Sequence, residues 1–298
     1  MRKVQKKENP TVVGIGELLW DILPEGRRLG GAPANFAYHA SMQGANAYLV
    51  SSIGNDVEGE DILVELEKKS LSSEYVSLLP FAKTGTVSVK LKNGSPSYII
   101  NSPVAWDFIP PSEKLASLAA KADAVCFGSL AQRNNISAET IKHFVTAANN
   151  KCLKVFDVNL RQNFFTDEII DSSLKLCNIL KISDEELPVV CKIAGISETG
   201  TTAINAIINK YNLKWAVMTE GAKGSLFCDG VFSFHIPSCP HGPIEDTVGC
   251  GDSFIAVLTV GLLKGFPPLD AMTNASKVAG FISASKGPTP AINEDFKF

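Results

Sequence analysis

No two cysteines form a CxxC pair, and the seven (126, 152, 177, 191, 228, 239 and 250) are odd in number and scattered. That usage argues against a disulfide framework and against a structural zinc site, and it fits a reducing compartment. Excess charge is also scarce: 28 basic residues against 31 acidic leave −3, too little field to hold nucleic acid or an anionic membrane. Long apolar runs are missing. The longest, Phe254 to Leu263, is too short to span a bilayer. Arg2, Lys3, Lys6 and Lys7 lead into Glu8-Asn9-Pro10 and not into an apolar signal core. A cytoplasmic protein is the expectation. The chain has no GxxxxGK[ST] loop and no GxSxG elbow, and its four histidines (39, 143, 235, 241) lack metal-ligand spacing.

What is present suffices for a large core. The chain has 298 residues, 45 % of them hydrophobic. At ~150 residues per domain that suggests about two domains, or one large α/β domain with an appendage. Strands are predicted at Thr11–Ile15 and Ala47–Ile53, with helices at Ala34–Gln43 and Gly59–Lys69. From residue 112 the beat is regular. Helices near 112–121, 137–149, 167–177, 184–194 and 200–211 alternate with apolar strands at Ala124–Phe127, Leu153–Phe156, Ile179–Ile182 and Trp215–Met218. This is the pattern of an α/β fold, a parallel sheet covered by helices on both faces. Two hairpins interrupt it. One spans 85–100 around Asn93-Gly94 and suggests a small separate sheet, a lid; the other pairs Ser225–Cys228 with Val231–His235. Helices near 252–264 and 268–285 close a single domain over 1–298, with the lid inserted at roughly 17–30 and 85–101.

Ligands of open α/β sheets bind beyond the carboxyl ends of the strands. Those exits are polar here: Asp157-Val158-Asn159-Leu160-Arg161, Ser183-Asp184-Glu185-Glu186, and Thr219-Glu220-Gly221-Ala222-Lys223-Gly224. Singly, each is also what a helix cap or turn supplies. The most informative stretch is Asp246-Thr247-Val248-Gly249-Cys250-Gly251-Asp252-Ser253, which runs into the apolar segment. Two glycines around a small residue at a helix start let main-chain N–H groups converge on an anion, and the helix dipole assists. Asp252, in the first turn, is placed to accept a proton from an attacking hydroxyl. Gly14-Ile15-Gly16 follows a strand as a dinucleotide loop would, but Leu19 occupies the place of the third glycine.

Two patterns resemble the ribokinase-like (PfkB-type) carbohydrate kinases, and within them the fructokinases. The first is Gly30-Gly31-Ala32-Pro33-Ala34-Asn35 followed by Ser51-Ser52-Ile53-Gly54-Asn55-Asp56-Val57-Glu58-Gly59; the second is Asp246 to Asp252. The resemblance covers essentially the whole chain. It implies an ATP-dependent kinase acting on a small sugar, fructose first, with ribose and 2-keto-3-deoxygluconate as alternatives. It implies Asp252 as catalytic base and Gly249, Cys250 and Gly251 as the anion hole, with Arg161 beside the phosphoacceptor. Thr219, Gly221, Gly224 and Asn274 would serve the nucleotide. Asp21, Gly30, Gly31, Asn35 and Asp252 would serve the sugar. Glu186 would organise Mg²⁺ through water, and Asp246, Val248 and Ser285 would border a monovalent cation such as K⁺. The lid would close over substrate and would also join two copies as a homodimer.

Three positions depart from the family pattern. Cys250 stands where alanine is usual; a thiol at a helix N-terminus is expected to have a lowered pKa, so that its alkylation would block activity and bound ATP would slow it. Ser183 replaces an asparagine. Trp106, in Ala105-Trp106-Asp107, either reshapes the sugar pocket or fills the core. Two rival readings are a nicotinamide-dependent oxidoreductase using the Gly14 loop and a non-catalytic sugar- or nucleotide-binding regulator.

Overall fold

A computed structural model describes residues 6–23, 26–92 and 95–298, with the backbone alone over 89–92 and 95–98. The chain opens with β1 (Thr11–Ile15), a hairpin of β2 (Leu19–Leu23) and β3 (Gly26–Gly30), then α1 (Ala32–Met42) and β4 (Asn46–Gly54). There follow α2 (Val57–Lys68), β5 (Val76–Leu79), β6 (Gly85–Lys92) and β7 (Ser95–Ile100). The regular part comprises α3 (Glu113–Lys121), β8 (Ala124–Gly128), α4 (Asn135–Ala147), β9 (Leu153–Asp157), α5 (Asp167–Leu176) and β10 (Ile179–Ser183). It continues with α6 (Leu187–Ala194), α7 (Gly200–Tyr211), β11 (Trp215–Thr219), β12 (Ser225–Cys228), β13 (Ser233–Ile236), α8 (Cys250–Leu263) and α9 (Pro268–Ser283).

Among the described residues, nine strands form one sheet in the order β13-β12-β11-β10-β9-β8-β1-β4-β5. It is parallel from β5 to β11 and antiparallel only at β12 and β13. Alternation along the strands sends side chains to opposite faces. Val12, Cys126, Val155 and Val217 pack with the apolar sides of α1, α8 and α9. Val13, Phe127, Phe156 and Met218 pack with α3 to α7. Both faces are therefore buried, which explains the continuous apolar runs of the central strands.

A second sheet has the order β3-β2-β6-β7. It is mixed, because β2 pairs with β6 in parallel while both outer pairs are antiparallel. We call this small separate sheet the lid sheet, or lid. The Asn93-Gly94 turn lies outside the described residues.

Departures from the expected boundaries have local causes. The last strand begins at Ser233, not Val231, because Asp229 Oδ1 accepts from the amides of Val231 and Phe232 and holds them in the turn. The helix expected from 184 begins at Leu187, with Pro188 in its first turn where no N–H is required. Residues 183–186 instead close a reciprocal turn, Ser183 N donating to Glu186 Oε2 (2.8 Å) and Glu186 N to Ser183 Oγ (3.2 Å). Gly14 is glycine for packing: a Cβ there would lie 2.2 Å from the Pro33 carbonyl oxygen of α1. No helix among the described residues is long and apolar enough to cross a membrane.

Candidate active site

The carboxyl ends of the parallel strands and the inner side of the lid enclose a cleft of about 1270 Å³. One wall is the start of α8. Gly249 caps that helix with φ 81° in the left-handed region, and a Cβ there would strike Pro288 at 2.5 Å, so a side chain is excluded twice over. Gly249, Gly251 and Asp252 all line the cleft, whereas Cys250 does not. The thiol expectation is corrected here. Burial, with Asp252 and Asp246 adding to it, pushes Cys250 up to about 12, outweighing any help from the helix terminus.

Next to it stands α1, packed against α8 on the same face of the main sheet, and the lid completes the enclosure. Asn35 Nδ2 donates to Asp252 Oδ2 at 2.8 Å. Burial raises the Asp252 carboxyl above its ordinary range, while Asn35, Lys181 and Arg161 pull it back. Asp21, on β2, lines the same cleft and is raised to about 6, by burial first and then by Asp246. A Cβ on Gly30 would lie 2.2 Å from Asp21 Oδ2 and would push that carboxylate aside; at Gly31, with φ 110°, a Cβ would lie 2.3 Å from the Glu17 carbonyl oxygen, which the backbone cannot yield.

The strand exits after β9 and β10 reach the floor of the cleft, and the one after β11 stands beside them. Glu186 Oε1 accepts from Leu160 N at 2.8 Å and Oε2 from Ser183 N, which fixes its carboxylate at the edge of the cleft. Arg161 is exposed, lines the cleft and acts electrostatically on Glu17, Asp21 and Asp252. Thr219 pairs in register with Ser183, and its carbonyl accepts from Asp184 N at 3.0 Å. Gly221 and Gly224, at φ 54° and 117°, shape the turn after it. Thr219, Gly221, Gly224, Asn274 and Ser285 are not among the residues lining this cleft. Asn274 Nδ2 donates to the Phe296 carbonyl (3.2 Å), and Ser285 Oγ to the Phe281 carbonyl (2.8 Å).

A match to the profile of the pfkB family of carbohydrate kinases spans residues 25–295. The chain belongs to that family. This carbohydrate kinase is 30 % identical over 308 residues to the sugar kinase PH1459 of Pyrococcus horikoshii, covering 96 % of this chain and 95 % of the relative. The structure of PH1459, described as uncharacterized, in complex with ATP aligns with a TM-score of 0.77 over 94 % of this chain and 93 % of that one. A fructokinase of Salmonella typhimurium is 27 % identical over 307 residues, covering 95 % and 96 % of the two chains. A fructokinase double mutant of Vibrio cholerae, in its fructose-, ADP- and potassium-bound form, has a TM-score of 0.79 at 21 % identity, over 96 % and 95 % of the chains. The fold is thus ribokinase-like, a mostly parallel sheet with a small separate one.

Two cleft residues of this kinase went unnoticed in the sequence. Lys181, in the middle of an apolar strand, is buried, its Nζ 2.9 Å from Asp157 Oδ1. A Cβ on Gly251 would lie 2.9 Å from that same Nζ, so the ammonium sits directly under the glycine-rich turn. Burial pulls Lys181 down, but Asp157, Glu186 and Asp252 outweigh it and hold the ammonium above its ordinary range. Asp157 rises to about 6, chiefly by burial, so the pair is charged at neutral pH. A lysine breaking an apolar strand was the available signal. Glu17, only 2 % exposed, also lines the cleft; Oε1 accepts from Ala32 N at 3.2 Å and Oε2 has no hydrogen-bond partner. Burial lifts it to about 7. Trp106, by contrast, fills the core: it is 1 % exposed, outside the cleft, with the Arg133 guanidinium 3.9 Å from its ring centre.

Proposed function

We propose that this carbohydrate kinase transfers the γ-phosphoryl group of ATP to a primary hydroxyl of fructose. The observation that carries the reading is the convergence of Asp252, the turn at Gly249 and Gly251, and the lid residue Asp21 on one cleft. Phosphoryl transfer asks the protein mainly for positioning and charge stabilisation. The amides at the start of α8 receive the moving group, and Lys181 beneath them with Arg161 across the cleft balances its charge. Asp252 takes the proton from the attacking hydroxyl, its carboxylate aimed by Asn35. Asp21, Gly31 and Asn35 hold the sugar. The lid excludes water, the competing acceptor.

The residues fit a water-mediated Mg²⁺. Glu186 is held by two amides with lone pairs to spare, and it would meet the ion through water. Phosphate oxygens and water complete such a shell. An ion held there would supply positive charge against the transferred phosphate. A monovalent cation drawing on Asp246 fits less well, because Oδ2 accepts from Arg28 Nη1 (3.1 Å) and Oδ1 from Val248 N (3.0 Å). Pairing of two copies through an edge strand of the lid sheet is part of this reading, and light scattering on the purified protein tests it.

Fructose is supported by Gly30-Gly31-Ala32-Pro33-Ala34-Asn35 and by the fructokinase relative. The test is an ADP-release screen over free sugars, sugar phosphates and nucleosides. Fructose should give the highest kcat/KM. A tenfold preference for ribose or 2-keto-3-deoxygluconate would reassign the sugar, and no ADP release with any acceptor would favour a non-catalytic binder.

A further inference from the structure

A second cavity, of about 340 Å³, lies behind the cleft, between β3, α2 and the segment 286–289. Its size falls within the range of about 300–1,000 Å³ typical of small-molecule sites. Its lining is strongly cationic in a chain whose net charge is −3: Arg27, Arg28, Lys68, Lys69 and Lys286. Asp61 pairs with Arg27. Glu65 is shared by Lys68 (3.4 Å) and Lys69 (3.7 Å), and Lys286 pairs with no carboxylate among the described residues. Leaving Arg28 aside, four cations stand against two lining carboxylates, an excess of two, which matches the charge of a phosphate dianion at neutral pH. The Trp20 ring, 4 % exposed, lies under Arg27, 4.7 Å from its guanidinium carbon, and supports that side chain at the cavity wall.

Arg28 connects this cavity to the cleft. It lines both, as do Lys286 and Pro288, and it carries the ion pair to Asp246, at the start of the loop that leads to Gly249. The geometry points to a regulatory anion site: the rear cavity binds a small phosphorylated compound, which draws Arg28 away from Asp246. The Asp246 carboxylate then faces the nucleotide phosphates unneutralised. Anion and nucleotide therefore oppose one another, and by linkage each weakens the other by the same factor.

The test separates the two sites. Isothermal titration of the full chain uses inorganic phosphate, pyrophosphate and a hexose monophosphate, each with and without a saturating non-hydrolysable ATP analogue that fills the anion hole. One anion per chain should still bind with the analogue present. Lys68→Glu, at a side chain 67 % exposed, should weaken it at least tenfold while leaving analogue affinity unchanged in anion-free buffer. Lys142→Glu, on the surface of α4, is the control. In the wild type a saturating anion should raise the analogue Kd several-fold, and Lys68→Glu should abolish that change. Tighter binding of the hexose phosphate identifies an organic phosphate as the ligand; equal binding identifies phosphate itself. Loss of all anion binding once the analogue is bound, or equal binding by wild type and Lys68→Glu, overturns the site. Binding with no change in analogue affinity overturns the coupling.

Discussion

The Asn35 amide and the Asp252 carboxylate meet at 2.8 Å although 217 positions separate them in the chain. One comes from the first helix and the other from the first turn of α8, and the contact aims the carboxylate into the cleft. Asp252→Asn should retain ATP and sugar binding while turnover falls about 10²–10⁴-fold, the usual worth of a general base. Asn35→Ala should cost less, and its pH–rate profile should shift, because an unaimed Asp252 loses the bond that lowers its pKa. Steady-state kinetics with calorimetric binding checks both; near-normal turnover in Asp252→Asn removes the residue from the role.

Lys181 has a structural and an electrostatic task, and a double substitution divides them. Lys181→Met leaves Asp157 buried and unpaired, which should cost about 3–5 kcal/mol of stability. Adding Asp157→Leu should restore the melting temperature without restoring kcat. If the double variant recovers turnover, Lys181 only supports the fold.

The Cys250 thiol is held at about 12 by burial and two carboxylates. Iodoacetamide at pH 7.5 should therefore label exposed Cys239 first and Cys250 slowest of the two. Mass spectrometry of timed digests gives the order, and fast labelling at Cys250 would refute the assignment. Cys250→Ala should keep nearly full activity if, as proposed, the anion hole is made of main-chain amides.

Glu17→Gln should stabilise the protein above neutral pH. The folded carboxyl titrates at about 7 against an ordinary 4.5, so between those values the native state holds a proton the unfolded chain has lost, and stability falls as pH rises. The full cost above pH 7 is about 3 kcal/mol. At pH 8 the variant should melt roughly 5 °C higher than wild type. At pH 4.5 the difference should vanish. His39, lowered to about 4 by burial, slopes the opposite way between 4 and 6.5, but it is common to both proteins and cancels.

Arg28 supplies the positive charge beside Asp246. Exchange of K⁺ for a large organic cation should leave wild-type kcat/KM unchanged, and Arg28→Gln should lose activity that K⁺ partly restores. Strong K⁺ dependence in the wild type would show that Arg28 does not take the ion's place.

Much of this was legible in one dimension. Strands β8 to β11 announced themselves as apolar runs between amphipathic helices, because a sheet covered on both faces needs such runs. The glycine-rich turn before α8 was equally plain, since only glycine adopts φ 81° against Pro288 at little cost. β5 was not foreseen: an edge strand of four residues carries little pattern. The charge of Lys181 looked like an interruption until Asp157, from a neighbouring strand, came within 2.9 Å.

Local chemistry, then, was settled by order along the chain: which segments alternate, where the backbone turns, which exits are polar. Burial and neighbours were settled by folding alone. They raise Cys250 where a helix terminus by itself would lower it, lift Glu17 toward neutrality, and set Arg28 on Asp246 between two cavities. Desolvation and charge pairing depend on what surrounds a group in three dimensions, and spacing along the chain does not encode that.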